Sequence, residues 1–338
     1  MFTNIYKKIK EFIRSEWKFL LIISIIIFIT NCPVNCYVIT GGGTISATDR
    51  VEVEGSKKSK GSIHLAYVSE LKGTIYTYLL SYIIPSYERE SLDDYKYNKN
   101  ESEKDIQFRN NLLLNNSLNN AIYVAYRKAD KKIEITSEKM FVYSINDKAK
   151  TDLQIGDEII EVDGKKINNM EDIKNTIKDF GVNDEINIKV IRDENELTCT
   201  AKLYIEKKQK LMGVLLMKDY GYKFDPKLTI TFKKSEGGPS GGLMLSLEVY
   251  NQLSNTDITK GKKIVGTGTI DRDGNVGEID GIKYKLMGAV DEKADIFIAP
   301  TGDNYKEALK EKKKNNYKIK IIEAKTFDQV IEELSKLK

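Results

Sequence analysis

The sequence predicts a multidomain chain of mixed α/β and α+β class, and three observations carry that prediction. The stretch from Phe19 to Ile39 contains no charged residue. Between about 132 and 206, short runs of alternating apolar residues surround a single amphipathic helix pattern. Beyond residue 240, apolar strands alternate with charged helices, as a layered α/β domain requires. At 338 residues, two or three domains are expected. Charged residues make up 31% and apolar ones 41%, and the net charge of +4 is spread along the chain. No basic patch is dense enough to argue for nucleic acid.

The N-terminus comes first. Lys7, Lys8, Lys10, Arg14 and Lys18 outnumber Glu11 and Glu16, so residues 1–18 read as a basic cytoplasmic end. Residues 19–39 match the roughly 20 apolar residues that cross a bilayer, with Trp17 at the inner boundary. The expectation is a single-pass cell-membrane protein, held in membrane lipid by this helix, with the remainder extracytoplasmic. A cleaved signal peptide is the competing reading. Its apolar core would be long, and no small-x-small site follows Ile29. The spacing of Cys32 and Cys36 decides neither pairing nor modification. Cys199 falls on the core face of an alternating strand, with Leu197, Ala201 and Leu203.

Residues 40–131 begin with the Gly41-Gly42-Gly43 turn. A β-like stretch (63–68), a helix-like run (75–84), an exposed polar segment (93–105) and a second helix (106–128) follow. No catalytic constellation appears there. Residues 132–206 contain Leu153-Gln154-Ile155-Gly156-Asp157-Glu158-Ile159, a turn and strand, and Asp163-Gly164, a second turn. Asn169 caps a helix whose Ile173, Ile177 and Phe180 share one face.

The chemistry concentrates in Gly237-Gly238-Pro239-Ser240-Gly241-Gly242, which precedes the apolar run Leu243, Met244, Leu245 and Leu247. A serine between glycines at a helix start exposes its hydroxyl, and nearby backbone N–H groups can hold an oxyanion. The chain has one histidine, His64, inside an apolar strand pattern. An α/β-hydrolase triad needs a histidine after the serine, and none follows Ser240. The same scarcity argues against zinc chemistry, and no nucleotide P-loop pattern occurs, so neither metal nor cofactor is expected. A lysine that has lost its proton is the remaining activator. That requires lowering a pKa of about 10.4 towards 7–8, which burial favours.

These segments resemble the proteolytic domain of the Lon family. The resemblance rests on the Gly-Pro-Ser-Gly-Gly loop, on Thr267-Gly268-Thr269-Ile270, on a glycine turn, and on Gly281-Ile282-Lys283-Tyr284-Lys285. It implies Ser240 as nucleophile, in a loop shaped by Gly238 and Pro239, with Gly241 giving an oxyanion N–H. It implies Lys285, four residues after Gly281, as general base, with Lys283 as the competitor and Thr267 helping to hold the lysine. Asp280 and Thr269 depart from the family pattern. Residues 132–206 resemble a PDZ domain of the bacterial protease type, which binds peptides as an added strand. The expected docking elements are the strand Met140, Phe141, Val142 to Ile145 and the helix with Ile173 and Ile177.

With the transmembrane helix (19–39) read from its apolar run, the resemblances imply a spacer (40–131), a PDZ-like domain (132–206) and a Lon-type proteolytic domain (209–338). The implied function is an ATP-independent, membrane-anchored serine endopeptidase acting on extracytoplasmic peptides and proteins bound as extended strands. Self-association is implied by resemblance only. The alternative is a membrane-tethered peptide-binding or chaperone-like protein of the same fold with little turnover.

Overall fold

The computed structural model describes residues 2–233, 236–254 and 256–337, with side chains from Ile5 onward. The chain opens with α1 (Phe2–Asn31) and strands β1 (Pro33–Thr40), β2 (Thr44–Ser46), β3 (Val51–Val53), β4 (Ser62–Ala66) and β5 (Ser69–Thr74). Helix α2 (Ile75–Ile83) and β6 (Glu88–Ser91) lead to the long α3 (Glu103–Lys128). Strands β7 (Lys132–Ile145), β8 (Lys150–Thr151), β9 (Glu158–Val162) and β10 (Lys165–Lys166) precede α4 (Met170–Lys178). Next are β11 (Glu185–Arg192), β12 (Asn195–Lys202), β13 (Tyr204–Glu206), β14 (Gln209–Leu211), β15 (Val214–Asp225) and β16 (Leu228–Ile230). The last third holds α5 (Gly242–Leu253), β17 (Lys263–Gly266), β18 (Thr269–Ile270), β19 (Val276–Gly277) and α6 (Ile282–Asp291). It ends with β20 (Ile296–Pro300), α7 (Asp303–Lys314), β21 (Lys320–Ala324) and α8 (Phe327–Ser335).

Two units result. The first combines the residues up to Gly41 with Val68–Tyr95. In it β1 is the centre of an antiparallel sheet ordered β5-β1-β6, and α2 starts on a reciprocal Thr74–Thr77 cap. The expected membrane span over 19–39 is corrected here. The helix stops at Asn31, and Pro33 to Thr40 form a strand. The residue before a proline disfavours the helical region, and Val34-Asn35-Cys36-Tyr37-Val38-Ile39 then alternates as strands do. The uncharged helical part, Phe19 to Asn31, is about 20 Å long against a hydrocarbon core of about 30 Å. No helix among the described residues is long and apolar enough to cross a membrane.

The second unit takes Gly42–Tyr67 and everything from Lys96 onward. One of its sheets runs β15-β7-β9-β11-β12-β8, with β10 paired to β9. Its core contains Met140, Val142, Ile159, Ile173, Ile177, Ile186, Ile188, Val190 and Cys199. Residues 209–225, expected in the proteolytic domain, belong largely to this sheet, because β15 pairs with β7 along the whole strand.

The other sheet runs β2-β4-β17-β20-β21, parallel from β4 onward. Side-chain alternation divides its two faces. Ile264, Ile296 and Ile298 pack with α3, α5 and α8, whereas Val265, Phe297 and Ala299 pack with α6 and α7. Residues 44–66 and 103–128, expected in a spacer, are therefore built into the same core as Ser240. Strand β4 lies beside β17, and Ala121, Val124, Ala125 and Tyr126 of α3 are buried in that core. At the start of α8, Thr326 accepts from the Gln329 N–H, and the Gln329 side chain accepts from the Lys325 N–H.

Candidate functional site

Ser240 sits in the turn that opens α5. Gly238 has φ +83°, a left-handed conformation that favours glycine, and the Pro239 carbonyl accepts from the Gly242 N–H at 3.2 Å. Past this turn, α5 is the most enclosed helix of the unit. Every residue from Gly242 to Val249 is buried, which fixes the axis on which the serine is presented.

The Ser240 carbonyl is held twice, by the Gly268 N–H at 2.7 Å and by the Thr267 hydroxyl at 3.0 Å. The Gly268 carbonyl in turn accepts from the Leu243 N–H at 3.0 Å. The nucleophile turn is thus laced to the segment just beyond β17. Thr267, fully buried, follows the strand rather than lying in it, and its proton goes to the Ser240 carbonyl. Its oxygen keeps acceptor capacity.

Lys285 lies in the first turn of α6, on the opposite face of the sheet from α5, and is 3% exposed. Helix direction places it. Lys263, at the start of β17, donates to the carbonyl of Glu292 at the end of α6. Helix and strand therefore run in opposite senses, and the first turn of α6 lies towards the Thr267 end of β17. Lys283 differs in its surroundings. It is only partly buried, with its ammonium 4.8 Å from the centroid of the Tyr284 ring. Burial thus separates the two candidate lysines. Asp280 is exposed, where water and salt screen its charge.

His64 is engaged locally. Its Nε2 is 2.9 Å from the Ser62 hydroxyl and its Nδ1 is 3.4 Å from that of Thr44. Burial and then Lys263 depress its basicity. The three cysteines are free, and burial raises the thiol pKa values of Cys36 and Cys199. Among the described residues no cluster of His, Cys, Asp and Glu could hold a metal ion.

Two family models match the chain. The model of the Lon protease (S16) C-terminal proteolytic domain matches residues 233–336, and that of the PDZ domain matches 106–203. The chain combines a PDZ domain with a Lon-type proteolytic domain. Among solved structures, it is similar to the PDZ domain of an SdrC-like protein from Listeria monocytogenes. That match is 25% identical, covers 25% of this chain and 92% of that one, and has a TM-score of 0.22. It is also similar to the second domain of a listeria protein solved in solution, at 22% identity, covering 30% and 93%, with a TM-score of 0.20. No curated protein matches.

In the PDZ domain the Gly-Asp turn proves to be an electrostatic anchor. Asp157 is fully buried and takes two 2.7 Å bonds from Arg192 on β11, a partner its own segment does not reveal. Asn169 caps α4 as expected, and Asp172 reciprocates by accepting from the Asn169 N–H. The expected docking strand is corrected. Residues 140–145 are not an edge, because β7 lies between β15 and β9. Leu216, Met217 and Lys218 face Val142, Phe141 and Met140, while the Val142 N–H is bonded to the Asp157 carbonyl. Met140, Val142, Ile173 and Ile177 are core residues. The edges of this sheet are β15 and β8.

In the Lon-type domain, sequence reasoning passed over Glu248, two turns after Ser240. It is fully buried and accepts from Gln252 at 2.7 Å and Thr48 at 3.0 Å. Burial outweighs these bonds and pushes its pKa up to about 7. A folded-state pKa above the unfolded value gives stability that is complete below about pH 4.5 and lost as pH rises through 7. Urea unfolding of wild type should show a loss of roughly 3 kcal/mol across that window. Glu248→Gln should lack it, and parallel pH curves for the two proteins would refute the assignment.

Proposed function

We propose that this protein is a serine endopeptidase that cleaves peptides through a Ser240–Lys285 dyad without nucleotide hydrolysis. The observation that supports it most is the pairing of a laced, glycine-flanked Ser240 with a lysine buried towards the same end of β17. Burial disfavours the ammonium and so favours the neutral amine that a general base must be. The Ser240 oxygen bonds to the scissile carbonyl carbon as its proton passes to the Lys285 Nζ. The Ser240 and Gly241 N–H groups hold the oxyanion. Lys285 then gives the proton to the leaving nitrogen as the C–N bond breaks, and water releases the acyl group by the reverse sequence. Cleavage of an unstructured peptide without ATP is expected for wild type and absent for Ser240→Ala. Equal activity of the two would exclude the reading.

Substrate docks, on this account, by strand addition to β15, an edge of the PDZ sheet. Lys210, just before β15, donates to the Ile177 and Lys178 carbonyls at the end of α4, which ties helix and edge together.

The apolar end of α1 supports action at a membrane. Phe19, Leu21, Ile22, Ile25, Ile26 and Phe28 are all exposed, beyond a lysine-rich stretch suited to lipid headgroups. The full-length protein is expected to sediment with membranes. Recovery in the soluble fraction would count against the placement.

A further inference from the structure

Helix α3 carries two polar side chains into the catalytic core. The Ser117 hydroxyl, 3% exposed, donates to the Pro239 carbonyl at 2.9 Å. Asn120, one turn on, donates to the Ile270 carbonyl at 3.1 Å. The close approach depends on a glycine, since a Cβ at Gly242 would stand 2.5 Å from the Ser117 Oγ. Helix α3 therefore grips both the nucleophile turn and the strand beyond Thr267.

A trans peptide is planar, so its C=O and N–H point in opposite directions. The Pro239 carbonyl is held by the Ser117 hydroxyl at 2.9 Å beside the longer 3.2 Å bond from the Gly242 N–H, which fixes the Ser240 N–H away from α3. The Ser240 carbonyl is fixed in the same manner by Thr267 and Gly268, which sets the direction of the Gly241 N–H. The two successive N–H groups of the oxyanion site are each aimed by a hydroxyl on the carbonyl behind them.

We infer that Ser117 is a positioning residue for the peptidase reaction: it orients the Pro239–Ser240 peptide plane and so pre-organises one oxyanion donor. This inference rests on the Ser240–Lys285 reading. A pre-aimed donor acts on charge that develops only in the transition state, so its loss appears in kcat and not in KM.

The test measures kcat per active site, with sites counted by complete titration with a serine-directed phosphonate probe. Ser117→Ala is expected to lower kcat per site about tenfold, with KM within about twofold of wild type. Ser117→Cys, similar in size with a weaker donor, is expected to fall between the two. A purely structural role would lower the melting temperature and the number of titratable sites but leave kcat per site unchanged. If wild type cleaves, Ser240→Ala does not, and both Ser117 variants match wild type per site, the inference is overturned while the dyad stands. If wild type neither cleaves nor titrates, the dyad itself fails.

Discussion

Lys285→Ala is expected to abolish turnover, with a loss on the order of 10⁴-fold, as removal of one member of a concerted catalytic unit does. To accept the Ser240 proton the Lys285 side chain must act as a neutral amine. Lys285→Arg should be as inactive, because a guanidinium stays protonated at any working pH. Lys283→Ala should keep activity within about twofold, since two positions along a helix turn the side chain to another face. Its ammonium lies over the Tyr284 ring rather than in the core. All three proteins should retain the wild-type circular dichroism spectrum. An active Lys285→Ala beside a dead Lys283→Ala would shift the assigned base by two residues.

The largest effect on stability is expected at Arg192. Its guanidinium is ion-paired at 2.7 Å with Asp157, whose side chain is shut off from solvent. Arg192→Met keeps the length of the side chain and leaves a buried carboxylate without its cation, which costs about 3–5 kcal/mol. The urea midpoint should drop accordingly. Adding Asp157→Asn to Arg192→Met should recover part of the loss, because the group left behind is then neutral. A loss below about 1 kcal/mol would mean that the pair behaves as an exposed one. The turn also holds β9 against β7 through the Val142 N–H and Asp157 carbonyl, so loosening of the β15 edge should accompany unfolding.

What the sequence made legible was local. The glycine-flanked Ser240, the capped start of α4 and the Gly-Asp turn all depend on residues within a few positions of one another. The structure adds connections that no local pattern encodes. Strand β4 joins β17 across nearly two hundred residues, so residues 44–66, which read as a spacer, are part of the catalytic sheet. Helix α3 reads as a helix in sequence, but only the fold reveals that Ser117 and Asn120 reach Pro239 and Ile270. Residues 140–145 have the alternation of a strand, and alternation cannot tell an edge from an interior position. Hydrophobicity alone ran past Asn31, where Pro33 and the β-branched residues after it end the helix.

Mass-spectrometric location of the adduct formed by a serine-directed phosphonate probe tests the central claim most directly. The dyad predicts one modification in wild type, on Ser240, with none in Ser240→Ala and strongly slowed labelling in Lys285→Ala. A modification on any other residue, or wild-type labelling of Lys285→Ala, would contradict it.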